Sequence, residues 1–198
     1  MVIVGLTGGI ASGKSTVSRI LKELGAEIVD ADLVAKEVVR PNTEAWRELV
    51  AEFGRGILNP DKTINRRKLG NMVFPDKTAL DKLNRITHPR ILKRINERVA
   101  QARQAGVRVL VLDAPLLIEA GMVSMVDQVW VVAVDPEIQI TRLMARDHFT
   151  FQEALNRLNS QMPLAEKIKY AVVVIDNSGA LEETRARITG LWEKLVSE

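Results

Sequence analysis

The residues of this chain best suited to chemistry lie near its start. Gly8-Gly9-Ile10-Ala11-Ser12-Gly13-Lys14-Ser15 fits the pattern G-x-x-x-x-G-K-[ST], and Thr16 follows it. A polyphosphate crowds negative oxygens together and needs as many donors converging on it. Gly8, Gly9 and Gly13 let the backbone wrap tightly and aim its N–H groups inward, with Ala11 and Ser12 completing the turn. A helix opening beside Ser15 adds its positive N-terminal end. Lys14 supplies a flexible cation for the β- and γ-phosphates, Ser15 a hydroxyl for Mg²⁺, and Thr16 a further donor. These residue types at this spacing call for ATP and Mg²⁺. An ordinary Gly-rich turn has no use for Gly13-Lys14-Ser15.

Phosphoryl transfer needs more than a cradle: a base for the acceptor, an acid that supports magnesium, cations over the transferring group, and a pocket for the nucleobase. Asp30-Ala31-Asp32 follows an apolar run, and Asp32 is the candidate base, because an acceptor hydroxyl is a poor nucleophile until its proton is taken. Either aspartate would also serve as a helix N-cap. Asp113 ends the run Val109-Leu110-Val111-Leu112 and is the candidate magnesium-supporting acid, or else a capping residue. Arg142 and Arg146 are four apart, on one helix face, with Arg157 beyond. They suit a closing lid, or a solvated helix face. Asn177-Ser178-Gly179 could present backbone and amide groups to adenine, or simply form a turn.

The elements that must position these residues can be read from the apolar pattern. Short strands are expected at Met1–Leu6, Glu27–Val29, Val107–Leu112, Gln128–Val134 and Val172–Ile175, several of them ending at an aspartate. Ser15–Leu24 carries Val17, Ile20, Leu21 and Leu24 at helical spacing, with Gly25 closing it. Strands alternating with helices predict a parallel sheet covered on both faces, five strands in all. Residues 42–106 show no strand signal and read as a helical insert, with a break or a new helix start expected at Pro89. Residues 142–170 form a second polar helical stretch, the lid. The nucleotide-binding core is then 1–41, 107–141 and 171–198 of one domain.

Composition narrows the classes. The chain has 198 residues and no cysteine, which excludes thiol nucleophiles, Cys-ligated zinc, iron–sulfur clusters and disulfides. Its 28 basic and 25 acidic residues are interspersed, and aromatics are 4%, unlike the basic stripe with aromatics that nucleic acid would want. No apolar stretch approaches the roughly 20 residues of a membrane span, and Met1-Val2-Ile3-Val4-Gly5 has no basic leader, so a cytoplasmic protein is expected. Trp46, Trp130 and Trp192 could each be core or interface, and a monomer or weak homo-oligomer is expected. The guanine-reading Asn-Lys-x-Asp segment and the transporter Leu-Ser-Gly-Gly signature are both missing. A compact P-loop kinase for a small acceptor remains.

As a set, these segments resemble the dephospho-CoA kinase family. The resemblance rests on Gly5-Leu6-Thr7 through Thr16-Val17, Val29-Asp30-Ala31-Asp32, Asn65-Arg66 to Val73-Phe74, Thr87-His88-Pro89, Pro115-Leu116-Leu117-Ile118-Glu119, Arg142-Leu143 to Arg146-Asp147, Ser160-Gln161-Met162 and Ile175 to Gly179. It implies a P-loop NTPase three-layer fold, and transfer of the ATP γ-phosphate to the ribose 3′-hydroxyl of dephospho-CoA. Asp32 would be the base, Lys14 and Arg142 would act on the phosphoryl group, and Arg146 and Asn177 would lie on the nucleotide side. Arg66, His88 and Leu116 would lie on the acceptor side, although His88 could equally pack or cap a helix. The chain departs from the family pattern at Val172, often acidic there, and in the aromatic segment His148-Phe149-Thr150-Phe151, a contact for the acceptor or a packed hinge.

Overall fold

The computed structural model describes residues 1–197. Five strands, β1 (Val2–Gly8), β2 (Glu27–Asp30), β3 (Val109–Asp113), β4 (Gln128–Ala133) and β5 (Val173–Asp176), form one sheet in the order β2-β3-β1-β4-β5. The β1–β3, β1–β4 and β4–β5 pairs are parallel. Both faces are covered. Val4, Leu6, Val111, Trp130, Val132 and Ile175 pack on one side with Val17, Ile20 and Leu21 of helix α1 (Lys14–Glu23). On the other side Ile3, Leu110, Leu112, Val129 and Val131 are buried as well. Strands buried on both faces read as unbroken apolar runs, which is why these were visible in the sequence. Trp130 belongs to this core, and Trp192, half-buried, packs against it.

Strand order decides where chemistry can sit. β1 is central, with β3 on one side and β4 on the other, so successive connections leave it in opposite directions. A crevice opens at the carboxyl edge at such a reversal. The loop after Gly8 leaves β1 at that edge. Asp113 is aligned with Leu6 of β1, and Asp176 with Ala133 of β4, so both aspartates mark the same rim.

The chain separates into two compact units. One comprises Met1–Val29 with the chain from Ala102 onward. After β4 it continues in α6 (Pro136–Asp147), α7 (Phe151–Asn159) and α8 (Leu164–Ile168), and α9 (Leu181–Ser197) follows β5. The expected lid at 142 does not start a new element: Arg142 lies midway along α6, which opens at Pro136 straight after β4. His148 ends α6 in the left-handed region, with φ 56°, and Thr150 begins α7 with a capping box to Glu153. Phe149 between them packs on Ile140, Leu143 and Ala154, and receives Arg157 over its ring at 4.2 Å. Phe149 therefore packs within the turn, whereas Phe151 is exposed.

The second unit, Asp30–Gln101, is helical: α2 (Ala31–Glu37), α3 (Glu44–Phe53), α4 (Arg66–Val73) and most of α5 (Lys77–Gln104). Its core is Leu49, Ile57, Ile64, Leu69 and Val73, with Trp46 packed against them. One antiparallel bridge, Leu58 to Ile64, sits in a stretch that shows no strand signal. Arg98 of α5 holds both oxygens of Glu37 on α2 at 2.7 and 2.8 Å, and Arg90 holds Glu48 of α3 at 2.6 Å.

The break expected at Pro89 is absent, because α5 runs through it for 28 residues. Two side chains bond back to the helix carbonyls around this point. Arg90 Nη1 donates to the Ile86 carbonyl at 2.7 Å, and Thr87 Oγ1 to the Leu83 carbonyl at 2.9 Å. Packing on both flanks outweighs the local penalty of proline. Pro89 is itself exposed and gives up no packing when truncated. Pro89→Ala is therefore expected to raise the unfolding free energy by about 2 kcal/mol, the helix penalty less the entropy that proline removes from the unfolded chain. Denaturant unfolding checks this, and a lower stability would show that the ring is needed.

Candidate active site

The loop 8–13 carries its own steric signature. Gly9 O accepts from Ser12 N at 3.1 Å, closing a turn in which Ala11 has φ 56°. Gly13 has φ 80° and serves as the N-cap of α1 without any side-chain cap. A Cβ at Gly13 would collide with Asn177 Nδ2, and one at Gly8 would lie 2.7 Å from both Ser12 Oγ and the Val132 carbonyl. These glycines are thus required by close approach as well as by conformation. Because α1 opens here, the amides of Lys14 and Ser15 precede the first intrahelical bonds and face an anion site, while Thr16 N already donates to Gly13 O at 2.9 Å.

The loop's carbonyls are held from outside. Asn177 Nδ2 donates to Ser12 O at 2.7 Å, Gln139 Nε2 to Ile10 O at 2.6 Å, and Arg142 Nη1 to Ala11 O at 3.5 Å. Ile10 N donates in turn to Gln161 Oε1 at 2.8 Å. A planar trans peptide points its C=O and N–H in opposite directions. Fixing the carbonyls of Ile10 and Ser12 therefore turns the amides of Ala11 and Gly13 the other way.

Lys14 and Asp113 form an ion pair, both largely buried. Ser12 Oγ is buried with no hydrogen-bond partner among the described residues. A cavity of about 930 Å³ opens over the loop, lined by residues 8–16 together with Arg142, Arg146, Gln161 and Asn177. That is at the upper end of ligand-site volumes and suits a nucleotide.

Two sequence-based assignments change in character. Asn177 lies beside the loop, but its amide is spent on the protein: the nitrogen on Ser12 O and the oxygen on Thr184 Oγ1 at 3.0 Å. Both ends of its amide thereby hold the loop in place. Its backbone carbonyl accepts from Arg142 Nη2 at 3.0 Å. Arg146 lines the cavity but pairs with Asp147 at 2.7 Å, and this contact raises the guanidinium and lowers the carboxyl relative to their ordinary pKa values. Asp176 is likewise lowered, first by its hydrogen bond to the Ser178 side chain and then by the Ser178 amide. The adjoining Asn177-Ser178 segment thus forms a tight polar turn at the end of β5.

Three contributors receive no role from the sequence, although Gln161 lies in the segment Ser160-Gln161-Met162. Gln139 sits on an ordinary amphipathic helix, and Gln161 follows α7 in a polar stretch. Lys167 is fully buried on α8, donating to Glu119 Oε1 at 2.7 Å and to the Pro115 carbonyl at 3.0 Å. Thr7 Oγ1 shares that carbonyl at 2.9 Å. Only burial distinguishes this lysine from its surface neighbours. Leu116, in the same loop, is half-exposed.

The remaining candidates belong to the helical unit. Asp30 is the N-cap of α2, accepting from Leu33 N at 2.9 Å. That leaves Asp32, in the first turn of α2, with an exposed carboxylate not committed to the cap. Arg66 opens α4 behind its N-cap Asn65, and His88 lies on α5; both are exposed.

Comparison with known proteins agrees with this geometry. The sequence pattern of the family described as CoaE, dephospho-CoA kinase, matches residues 2–183. The dephospho-CoA kinase of Geobacter sulfurreducens is 54% identical over 98% of this chain and 98% of its own length. That of Carboxydothermus hydrogenoformans is 52% identical over 97% of this chain and 93% of its own. The structure of dephospho-CoA kinase from Campylobacter jejuni superposes with a TM-score of 0.75 at 28% identity, covering 98% of this chain and 96% of that one.

The glycine at position 13 gives the sharpest test of the cradle. Gly13→Ala places a methyl against Asn177 and strains a left-handed backbone, a cost of about 1–3 kcal/mol. ATP binding measured by calorimetry is expected to weaken at least about tenfold, and unchanged affinity would contradict the cradle assignment.

Proposed function

This chain belongs to the dephospho-CoA kinase family, and on that premise we propose that it transfers the γ-phosphate of ATP to the ribose 3′-hydroxyl of dephospho-CoA, the last step of coenzyme A biosynthesis. The observation that carries this is the strand–loop–helix cradle with Lys14, in a chain that matches the family along nearly its whole length. The 3′-oxygen of the acceptor attacks the γ-phosphorus while the bond to the β–γ bridging oxygen breaks, so that ADP leaves and the acceptor's proton must go to a base. Asp32 takes that proton. Its support is chemical: it is an exposed carboxylate two residues past the cap of α2, at the carboxyl end of a strand, where ligands of such sheets bind.

Lys14 and the amides of Ala11 and Gly13 to Ser15 carry the phosphate charge in this proposal. Arg142 joins them. Its guanidinium lines the cavity, held by a long bond to Ala11 O and a 3.0 Å bond to Asn177 O that a transferring phosphoryl group would have to compete with. Residues 142–170 act as the lid and 42–106 as the acceptor-binding part, with Arg66, His88 and Leu116 on the acceptor side. Arg146 and the backbone at Asn177 border the nucleotide.

Mg²⁺ fits the donors available. Ser15 offers an exposed hydroxyl at the cradle and Asp113 a carboxylate at the end of β3, and hard oxygen ligands in that small number are what Mg²⁺ takes when phosphates complete its shell. When bound, the ion neutralises phosphate charge. ATP as donor, a small-molecule acceptor and cytoplasmic action complete the proposal. No described helix is long and apolar enough to cross a membrane.

A panel of acceptors tests this proposal: turnover of ATP is expected with dephospho-CoA and not with shikimate or nucleoside monophosphates, and turnover following another acceptor would overturn it. Within the same assay Asp32→Asn is expected to keep ATP affinity and lower kcat by about 10²–10⁴-fold, the worth of a positioned base. A near-normal kcat would remove Asp32 from that role.

A further inference from the structure

Two glutamines outside the loop grip the same residue from opposite sides, and the function just proposed assigns them nothing. Gln139 Nε2 donates to the Ile10 carbonyl at 2.6 Å, and Gln161 Oε1 accepts from the Ile10 amide at 2.8 Å. The partners fix which end of each amide faces the loop, because a carbonyl can only accept and an N–H can only donate. The two side chains are therefore used in opposite polarity. Gln139 comes from α6 and is 3% exposed. Gln161 comes from the turn after α7 and lines the cavity. Gly9 makes the grip possible, since a Cβ there would lie 2.6 Å from Gln139 Nε2.

We infer that Gln139 and Gln161 are positioning residues for the donor nucleotide, a two-sided clamp on the Ile10 peptides that presets the phosphate cradle. The physical argument is the planarity of the peptide bond. Holding Ile10 O outward turns the Ala11 amide to the opposite side, toward an incoming phosphate. Holding Ile10 N–H fixes the preceding peptide plane, so the turn from Gly9 to Ser12 cannot swivel. Ala11, at φ 56°, sits in a region that a free loop of non-glycine residues would leave, so an outside restraint is needed. Because Gln161 follows α7, the tip of the cradle is also tied directly to the stretch proposed as the lid. Neither glutamine touches the reacting atoms, so their effect falls on binding of ATP. This inference rests on the phosphate-cradle reading.

The test uses the full chain and four variants. Gln139→Met and Gln161→Met keep the side-chain length and remove the hydrogen bond. Each is expected to raise the ATP Kd and the KM for ATP by about fivefold, the worth of one net hydrogen bond, with the KM for dephospho-CoA and kcat little changed. A merely structural pair would lower Tm without that split. Hydrogen exchange at the Ile10 amide separates the two partners: at least about tenfold faster in Gln161→Met and unchanged in Gln139→Met. Polarity gives the last arm. Gln161→Glu keeps an acceptor, so Ile10 stays protected. Gln139→Glu sets an acceptor against a carbonyl and must raise the ATP Kd at least as much as methionine does. Unchanged ATP affinity in both methionine variants, or Ile10 exchange indifferent to residue 161, would overturn the clamp. Failure of the unaltered protein to bind ATP would instead overturn the cradle reading on which it rests.

Discussion

Much of this structure depends on one constraint, the orientation of the peptide planes between Gly9 and Gly13. A phosphate cradle works only if N–H groups converge, and each N–H that turns inward drives the carbonyl of its own peptide outward. Those carbonyls cannot be left without partners where they are buried. The protein meets them with side chains from widely separated parts of the chain: Gln139 on α6, Arg142 one turn later, and Asn177 at the end of β5. The sheet brings these donors together, since β4 lies beside β1, β5 beside β4, and all three end at the same rim. Thr184 on α9 then holds the Asn177 oxygen, so the C-terminal helix also takes part.

The same arrangement explains the division between apolar interior and polar rim. The central strands β1, β3 and β4 are largely buried, and aspartates stand at or just past the carboxyl ends of β3, β4 and β5, at Asp113, Asp135 and Asp176. Lys14 crosses the rim to Asp113, and Lys167, fully buried, is neutralised by Glu119 while it shares the Pro115 carbonyl with Thr7. A buried lysine without such partners would be costly. These bonds anchor the segment that follows Asp113 and keep the acid beside the cradle. Charge is thus concentrated where a charged ligand can meet it.

What could be read from the sequence follows physical lines. The strands were legible because a parallel sheet demands uninterrupted apolar residues, and the cradle because glycine, lysine and hydroxyl residues have no substitute there. Asp30 as a cap was legible from its place before an apolar helix. Less legible was anything set by long-range packing. Pro89 predicts a break by local rules, yet α5 continues because its flanks are packed. Asn177 looks like a turn former and proves to be a strut, because only the strand order places it against Ser12. Gln139 and Lys167 resemble surface residues of polar helices, and the segment Ser160-Gln161-Met162 gives Gln161 no role; their partners lie from 48 to 151 positions away, beyond the reach of any local pattern.

The account joins a preorganised cradle to one acceptor oxygen, so the site of phosphorylation is its most direct measurement. Incubating the full chain with ATP, Mg²⁺ and dephospho-CoA and following phosphorus by NMR should show a new phosphomonoester on the ribose 3′-oxygen, formed in step with ADP. A phosphate on any other oxygen of the acceptor, or ATP consumed with no phosphorylated acceptor, would contradict it.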